Sequence, residues 1–245
     1  MRGLTLLSPH RDDAVFSLYL SLQMWRQLAI RVTVLNFFTR SNYAPRALES
    51  QVDVVSLIRK TEDHNVLSRI DKRIRIRDCD LLDAPLRLGI PFEAVCRPET
   101  GALARSVESE ITAYIRTQAQ TDLVIAPLGL GGHVDHLAVS EAAITSVWLR
   151  HRLALYEDLP YATWTSDDRL RQRIHEIETK LRVRLRPVLI RQQCAIRRKQ
   201  RAVARYRSQI TREEAASIAR FSLRYGGGER LWLPRHIDLW TALSG

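Results

Sequence analysis

Leu4-Thr5-Leu6-Leu7-Ser8-Pro9-His10-Arg11-Asp12-Asp13 starts as a short apolar run, stops at a proline and continues into three side chains that can bind metal or carry protons. A run of this length ended by a turn signal reads as a buried strand. The arrangement returns at Leu123-Val124-Ile125-Ala126-Pro127, which leads into Gly132-His133-Val134-Asp135-His136. Both clusters therefore fall just beyond the carboxyl end of a strand, where open α/β sheets hold their ligands.

Working outward, Val15, Leu18, Leu22 and Trp25 form an apolar stripe on a helix expected over 14–28, and 31–38 reads as the second strand. Residues 39–45 read as a polar loop, 47–70 and 103–118 as helices, 137–149 as a further helix and 153–156 as another strand. The segment 91–101 is expected as a surface loop near the site. Strands alternating with helices predict a Rossmann-like, mostly parallel sheet flanked by helices, with right-handed crossovers. Leu189, Ile196, Val203 and Ile210 recur every seven residues, which predicts an amphipathic helix within a helical C-terminal elaboration. The length fits one domain over residues 1–245.

The two clusters constrain the chemistry. A catalytic zinc takes three ligands from His and carboxylate and keeps a position for water. His10, Asp13 and His136 supply such a set, one zinc per chain, and leave Asp12 and His133 beside it as an acid–base pair. An isolated His-x-x-His is a weak signal, and the turn from His10 to Asp13 alone fits a helix cap. Their coincidence behind two strands argues for a site. The loop Gly129-Leu130-Gly131-Gly132 lacks dinucleotide-fingerprint spacing, so no nucleotide cofactor is expected.

Pro9-His10-Arg11-Asp12-Asp13 followed by Gly131-Gly132-His133-Val134-Asp135-His136 resembles the paired signature of the LmbE-like, or PIG-L, family of zinc-dependent de-N-acetylases. Arg59-Lys60-Thr61-Glu62-Asp63 and Leu82-Asp83-Ala84-Pro85-Leu86-Arg87 resemble its intervening segments. Tyr156 to Tyr161, Tyr206 to Gln209 and Glu229 to Trp232 resemble a branch acting on glycosylated natural products. The resemblance implies His10, Asp13 and His136 as ligands, Asp12 as general base, His133 as acid and oxyanion partner, and Arg59 and Asp83 as substrate-facing. It implies release of an N-acetyl group from an amino sugar or a glycosylated small molecule. A zinc amidase cutting a larger acyl or thiol conjugate is the alternative. Ala14 stands where many members carry Glu. Arg40, Tyr43, Arg87, Glu157 and the loop around Glu229 are further candidates to line the pocket.

The net charge of +11 raises nucleic-acid binding, by a basic protein whose site is vestigial. Only Lys60, Lys72, Lys180 and Lys199 are lysines, so the excess is an arginine bias spread along the chain rather than a groove, and nucleic acid is not the expected partner. No run of eighteen apolar residues occurs, and the first residues read as a strand rather than a cleavable leader, so a cytoplasmic protein is expected. Cys79, Cys96 and Cys194 are too far apart for a thiolate zinc motif, and no disulfide framework is expected.

Overall fold

A computed structural model describes residues 3–192 and 195–239, which leaves Cys194 outside the described residues. The first strand, β1 (Gly3–Ser8), is buried along its whole length, as an unbroken apolar run requires when both faces of a sheet are covered. It feeds α1 (Asp13–Gln27), whose Val15, Leu18, Leu22 and Trp25 are buried as the stripe predicts. Next come β2 (Arg31–Asn36), α2 (Val52–Ile70) and β3 (Arg75–Asp78). A short helix, α3 (Ala84–Leu88), comes next; the segment 91–101 expected as a loop ends in another, α4 (Pro98–Gly101), and α5 (Glu108–Gln118) follows. The second motif lies between β4 (Leu123–Pro127) and α6 (Val134–Thr145). This helix starts earlier than expected, because His133 caps it by accepting the Asp135 N–H on its side chain.

The C-terminal part runs β5 (Leu153–Tyr156), α7 (Asp167–Leu181), β6 (Leu185–Arg191), α8 (Ile196–Val203), α9 (Arg212–Phe221) and β7 (Gly228–Pro234). Among the described residues one sheet takes seven strands in the order β3-β2-β1-β4-β5-β7-β6. Five strands, β3 to β5 in that order, are parallel, and β7 runs antiparallel to both β5 and the edge strand β6. The elaboration is therefore helical but also completes the sheet.

The seven-residue apolar spacing misleads at this point. Leu189 lies in β6, paired with Arg230, while Ile196 and Val203 lie in α8 and Ile210 lies beyond it. Continuous pairing of β6 along β7 satisfies the backbone of 185–191 as a strand, and the four residues share no helix face. Lys199 lies in α8 among arginines. It is fully buried and donates to Glu229 at 2.9 Å.

That pair serves α1. The helix is broken at Leu18 (φ −129°, ψ 23°), and the Glu229 carboxylate accepts the N–H groups of Leu20 and Ser21 beyond the break at 3.0 and 2.9 Å, together with the Ser21 hydroxyl at 2.8 Å. Glu229 is thus a buried clamp on the helix that begins with Asp13, not a pocket residue. No helix of the described residues is long and apolar enough to cross a membrane.

Candidate active site

The turn between β1 and α1 is wired by its own side chains. Asp13 Oδ2 accepts the His10 N–H at 2.8 Å, and Ser8 Oγ donates to the His10 carbonyl while accepting the Ala14 N–H. Arg11, buried, reaches Asp78 at the end of β3 and the carbonyls of Thr39 and Ser56, which fixes the turn against β2 and α2. On the facing loop, Gly129, Gly131 and Gly132 all have positive φ. At Gly131 a Cβ would lie 2.6 Å from Tyr161 Cβ, so only glycine fits there.

These two loops bring the predicted ligands together. His10, Asp13 and His136 present ligand atoms within 4.8 Å of one another. His10 Nδ1 and His136 Nε2 each lie 3.3 Å from Asp13 Oδ2. The far nitrogen of each ring meets another carboxylate: His10 Nε2 lies 3.2 Å from Asp135 Oδ2, and His136 Nδ1 lies 2.8 Å from Asp158 Oδ1. Carboxylates placed in this way orient metal-binding imidazoles and raise their basicity. His136 Nε2 is buried and makes no hydrogen bond, with only Asp13 Oδ2 near it at 3.3 Å, as expected of two atoms that face a shared cation. The donor set therefore fits a divalent cation, and two imidazoles with one carboxylate suit zinc, Fe(II) or Co(II).

A second grouping, His10, His133 and Asp135, is equally compact. Its carboxylate is already spent, since Asp135 accepts from the Ala84 N–H at 2.9 Å and from Arg87 at 3.0 Å besides facing His10. His133 Nδ1 in turn accepts the Asp135 N–H at 3.2 Å.

The electrostatics follow from this crowding. Burial opposes charge on both imidazoles, yet carboxylates outweigh it: Asp13 and Asp135 raise His10 to about 9, and Asp13 and Asp158 raise His136 to about 10. Burial alone would raise Asp13, but His136 and His10 hold it well below the usual carboxylate range. Asp12 moves the other way. Burial raises it and Asp13 adds to the rise, against the pull of Arg59, whose Nη2 lies 3.4 Å from Asp12 Oδ2. His133 is lowered well below its ordinary value, first by burial and then by His10 and His136, although Asp135 pulls it upward. With Nδ1 accepting, its neutral ring carries the proton on Nε2.

The cluster floors a cleft of about 360 Å³ that Asp12, His133, Arg59 and Asp83 also line. Arg59 is further held by Ser41 Oγ and the Tyr43 carbonyl, and Asp83 caps α3 through the Leu86 N–H. Tyr43, stacked on Phe92 with ring centroids 3.7 Å apart, lines the cleft, as do Tyr161 and Trp164. The other expected pocket residues face elsewhere. Arg40 pairs with Asp53 at the surface, and Arg87 holds Asp135 and stacks over Phe38. Glu157 accepts from Tyr225, Arg230 and Trp232 beneath β7, where three donors satisfy a buried carboxylate. Asp135 does not hold His133 through its carboxylate. Asp158 and Tyr161 lie in the segment from Tyr156 to Tyr161 that carries the family resemblance, but nothing local assigns them these contacts, and Phe92 carries no sequence signal at all.

The model of the PIG-L family, described as GlcNAc-PI de-N-acetylase, matches residues 5–147. The 2'-N-acetylparomamine deacetylase of Streptomyces fradiae is 38% identical over 165 residues, which are 66% of this chain and 58% of that protein. Among solved structures, the zinc-inhibited form of teicoplanin deacetylase Orf2 covers 96% of this chain and 100% of its own at 24% identity and a TM-score of 0.68. The N,N'-diacetylchitobiose deacetylase from Pyrococcus horikoshii covers 99% of this chain and 88% of its own at 17% identity and a TM-score of 0.65. At those identities the solved structures speak for the fold.

Proposed function

Because this chain belongs to the PIG-L family, we propose that it is a zinc-dependent hydrolase that removes an N-acetyl group from an amino sugar of a glycosylated small molecule. The observation that carries this reading is the buried Nε2 of His136, without a hydrogen bond and 3.3 Å from Asp13, in a cleft that Asp12 also lines. The kinship with a 2'-N-acetylparomamine deacetylase supports the substrate class. We take residues 1–245 as one catalytic unit, since Glu229 of the last strand grips the helix that starts at Asp13.

His10, Asp13 and His136 are the proposed ligands, with Asp135 and Asp158 fixing the two rings. Bound there, zinc would supply Lewis-acid polarisation of the acyl carbonyl and acidify the attacking water. Asp12 accepts the proton of that water, helped by burial that keeps its carboxylate proton-seeking while Arg59 aims it. His133 acts as a neutral donor, offering its Nε2–H to the oxygen that gains charge as the carbonyl becomes tetrahedral. Asp12 returns its proton to the departing nitrogen, and the C–N bond breaks to give acetate and a free amine.

The test is a panel of N-acetylated amino sugars incubated with the zinc-loaded protein and read by mass for exchange of an acetyl group for hydrogen. Acetate release from at least one member is expected. Absence of release across the panel with zinc bound would overturn the reading.

A further inference from the structure

The chain carries 38 basic and 27 acidic side chains, and its clefts are expected to share that bias. One does. A cleft of about 600 Å³ between α2 and α8 is lined by Arg69, Lys72, Arg198, Arg201 and Arg205 without a single carboxylate. Among the described residues the metal-cluster cleft has the opposite sign, with Arg59 as its only Lys or Arg and five carboxylates in its lining.

Two of those carboxylates, Asp12 and Asp13, belong to the chemistry just described. The other three do not. Asp83 is buried near the start of α3, Glu93 is exposed after Pro91, and Glu214 lies in the first turn of α9, so three separate segments deliver acid to one cavity. Glu93 has no hydrogen bond or ion pair among the described residues. Glu214 accepts only the Thr211 N–H of its own helix cap, and neither glutamate meets a cation. Both act on one point of the wall: burial raises the Tyr43 phenol, Arg59 lowers it, and Glu214, Asp12 and Glu93 each raise it. An independent sign of a ligand is His136, which lines the same cleft, is fully buried and leaves its Nε2 without a hydrogen-bond partner. The acyl group belongs at that end, which leaves Glu93 and Glu214 for the rest of the bound molecule.

We infer that the substrate bears at least one free ammonium group besides its N-acetyl group, and that Glu93 and Glu214 receive it at the mouth of the cleft while Tyr43 and Phe92 present an apolar wall. Acidic substrates, phosphorylated or uronic, are disfavoured by the same charges. Carboxylates at an exposed rim act on encounter and binding, so the preference is expected in KM, and added salt is expected to weaken it.

This inference rests on the deacetylase reading, and the experiment separates the two. Acetate release is compared for N,N'-diacetylchitobiose, which is neutral, the corresponding mono-N-acetylated disaccharide, which carries one ammonium, and N-acetylglucosamine 6-phosphate. The expected result is a kcat/KM about tenfold or more higher for the ammonium-bearing sugar at low salt, with the phosphate poorest. The gap is expected to shrink as salt is raised. In Glu93→Gln/Glu214→Gln the ratio of cationic to neutral substrate falls towards one, and Glu93→Lys moves it towards the phosphate. Metal content and the melting temperature verify that each variant is folded. Equal kcat/KM for neutral and cationic sugars in the parent protein, or an unchanged ratio in both folded variants, would overturn the inference while leaving the deacetylase reading in place. No acetate from any of the three would remove both.

Discussion

Asp158 Oδ1 lies 2.8 Å from His136 Nδ1, and its other oxygen accepts the N–H groups of Gly129 and Leu130 at 2.9 and 3.1 Å. One carboxylate thus sets the rotation of a proposed ligand ring and the path of the glycine loop that precedes it. Asp158→Asn keeps the size but weakens the hold on the ring proton, and metal affinity is expected to fall about 10- to 100-fold. A competition titration with a chelator measures it. Parent-like affinity would mean that the ring is held by its packing alone.

Protons and metal compete for the same atoms. With His10 raised to about 9 and His136 to about 10, both rings hold protons at neutral pH in the metal-free protein. Metal uptake must expel them, so calorimetry in buffers of different ionisation enthalpy is expected to show proton release, and apparent affinity should rise with pH through neutrality. The same shifts give the metal-free chain stability that is fully present below the unfolded histidine pKa of about 6.5 and is lost as pH rises through 9 to 10. Uptake without proton release would contradict this.

Base and ligand are separable by substitution. Asp12→Asn is expected to keep its metal and lose about 10² to 10⁴ in turnover, because the amide cannot accept the proton. Asp13→Asn is expected to lose metal first. The reverse pattern, measured by metal analysis beside kcat, would exchange the two roles.

His133 calls for a different pH behaviour from that of an imidazolium acid. Its lowered pKa and its Nδ1 contact describe a neutral donor, so loss of a His133 proton is not expected to produce an alkaline limb in kcat/KM. His133→Ala is expected to cost about 10² to 10³ in kcat while retaining metal. An alkaline limb that disappears in this variant would restore the imidazolium.

Lys199 and Glu229 are a stability test away from the chemistry. Lys199→Met strands the Glu229 carboxylate in the interior, at a cost of about 3 to 5 kcal/mol. Denaturant unfolding of the metal-free chain reads it directly, and a loss below 1 kcal/mol would show that the bonds to Leu20 and Ser21 suffice.

Much of this was legible in local sequence. The run from Leu4 to Leu7, the proline after it and the charged residues beyond place a strand, a turn and a helix start in ten residues, because each signal is local. Repetition of that pattern at Leu123 was enough to place His10, Asp13 and His136 at one end of a parallel sheet. What escaped depends on distance along the chain. Glu157 and Glu229 look like loop acids until antiparallel pairing of β7 brings Arg230 and Trp232 to Glu157 and carries Glu229 against α1. The spacing of Leu189, Ile196, Val203 and Ile210 mimicked a helix because period alone does not reveal a strand that pairs with a segment forty residues on.

His10, Asp13 and His136 are proposed to hold the one ion on which amide hydrolysis depends. The most direct test is acetate release from an N-acetylated amino sugar as zinc is titrated into metal-free protein. No release is expected without metal, with a rise that reaches its full value at one equivalent per chain and no recovery at any zinc concentration in His136→Ala. Full release from the metal-free protein, or parent-like recovery in His136→Ala, would contradict it.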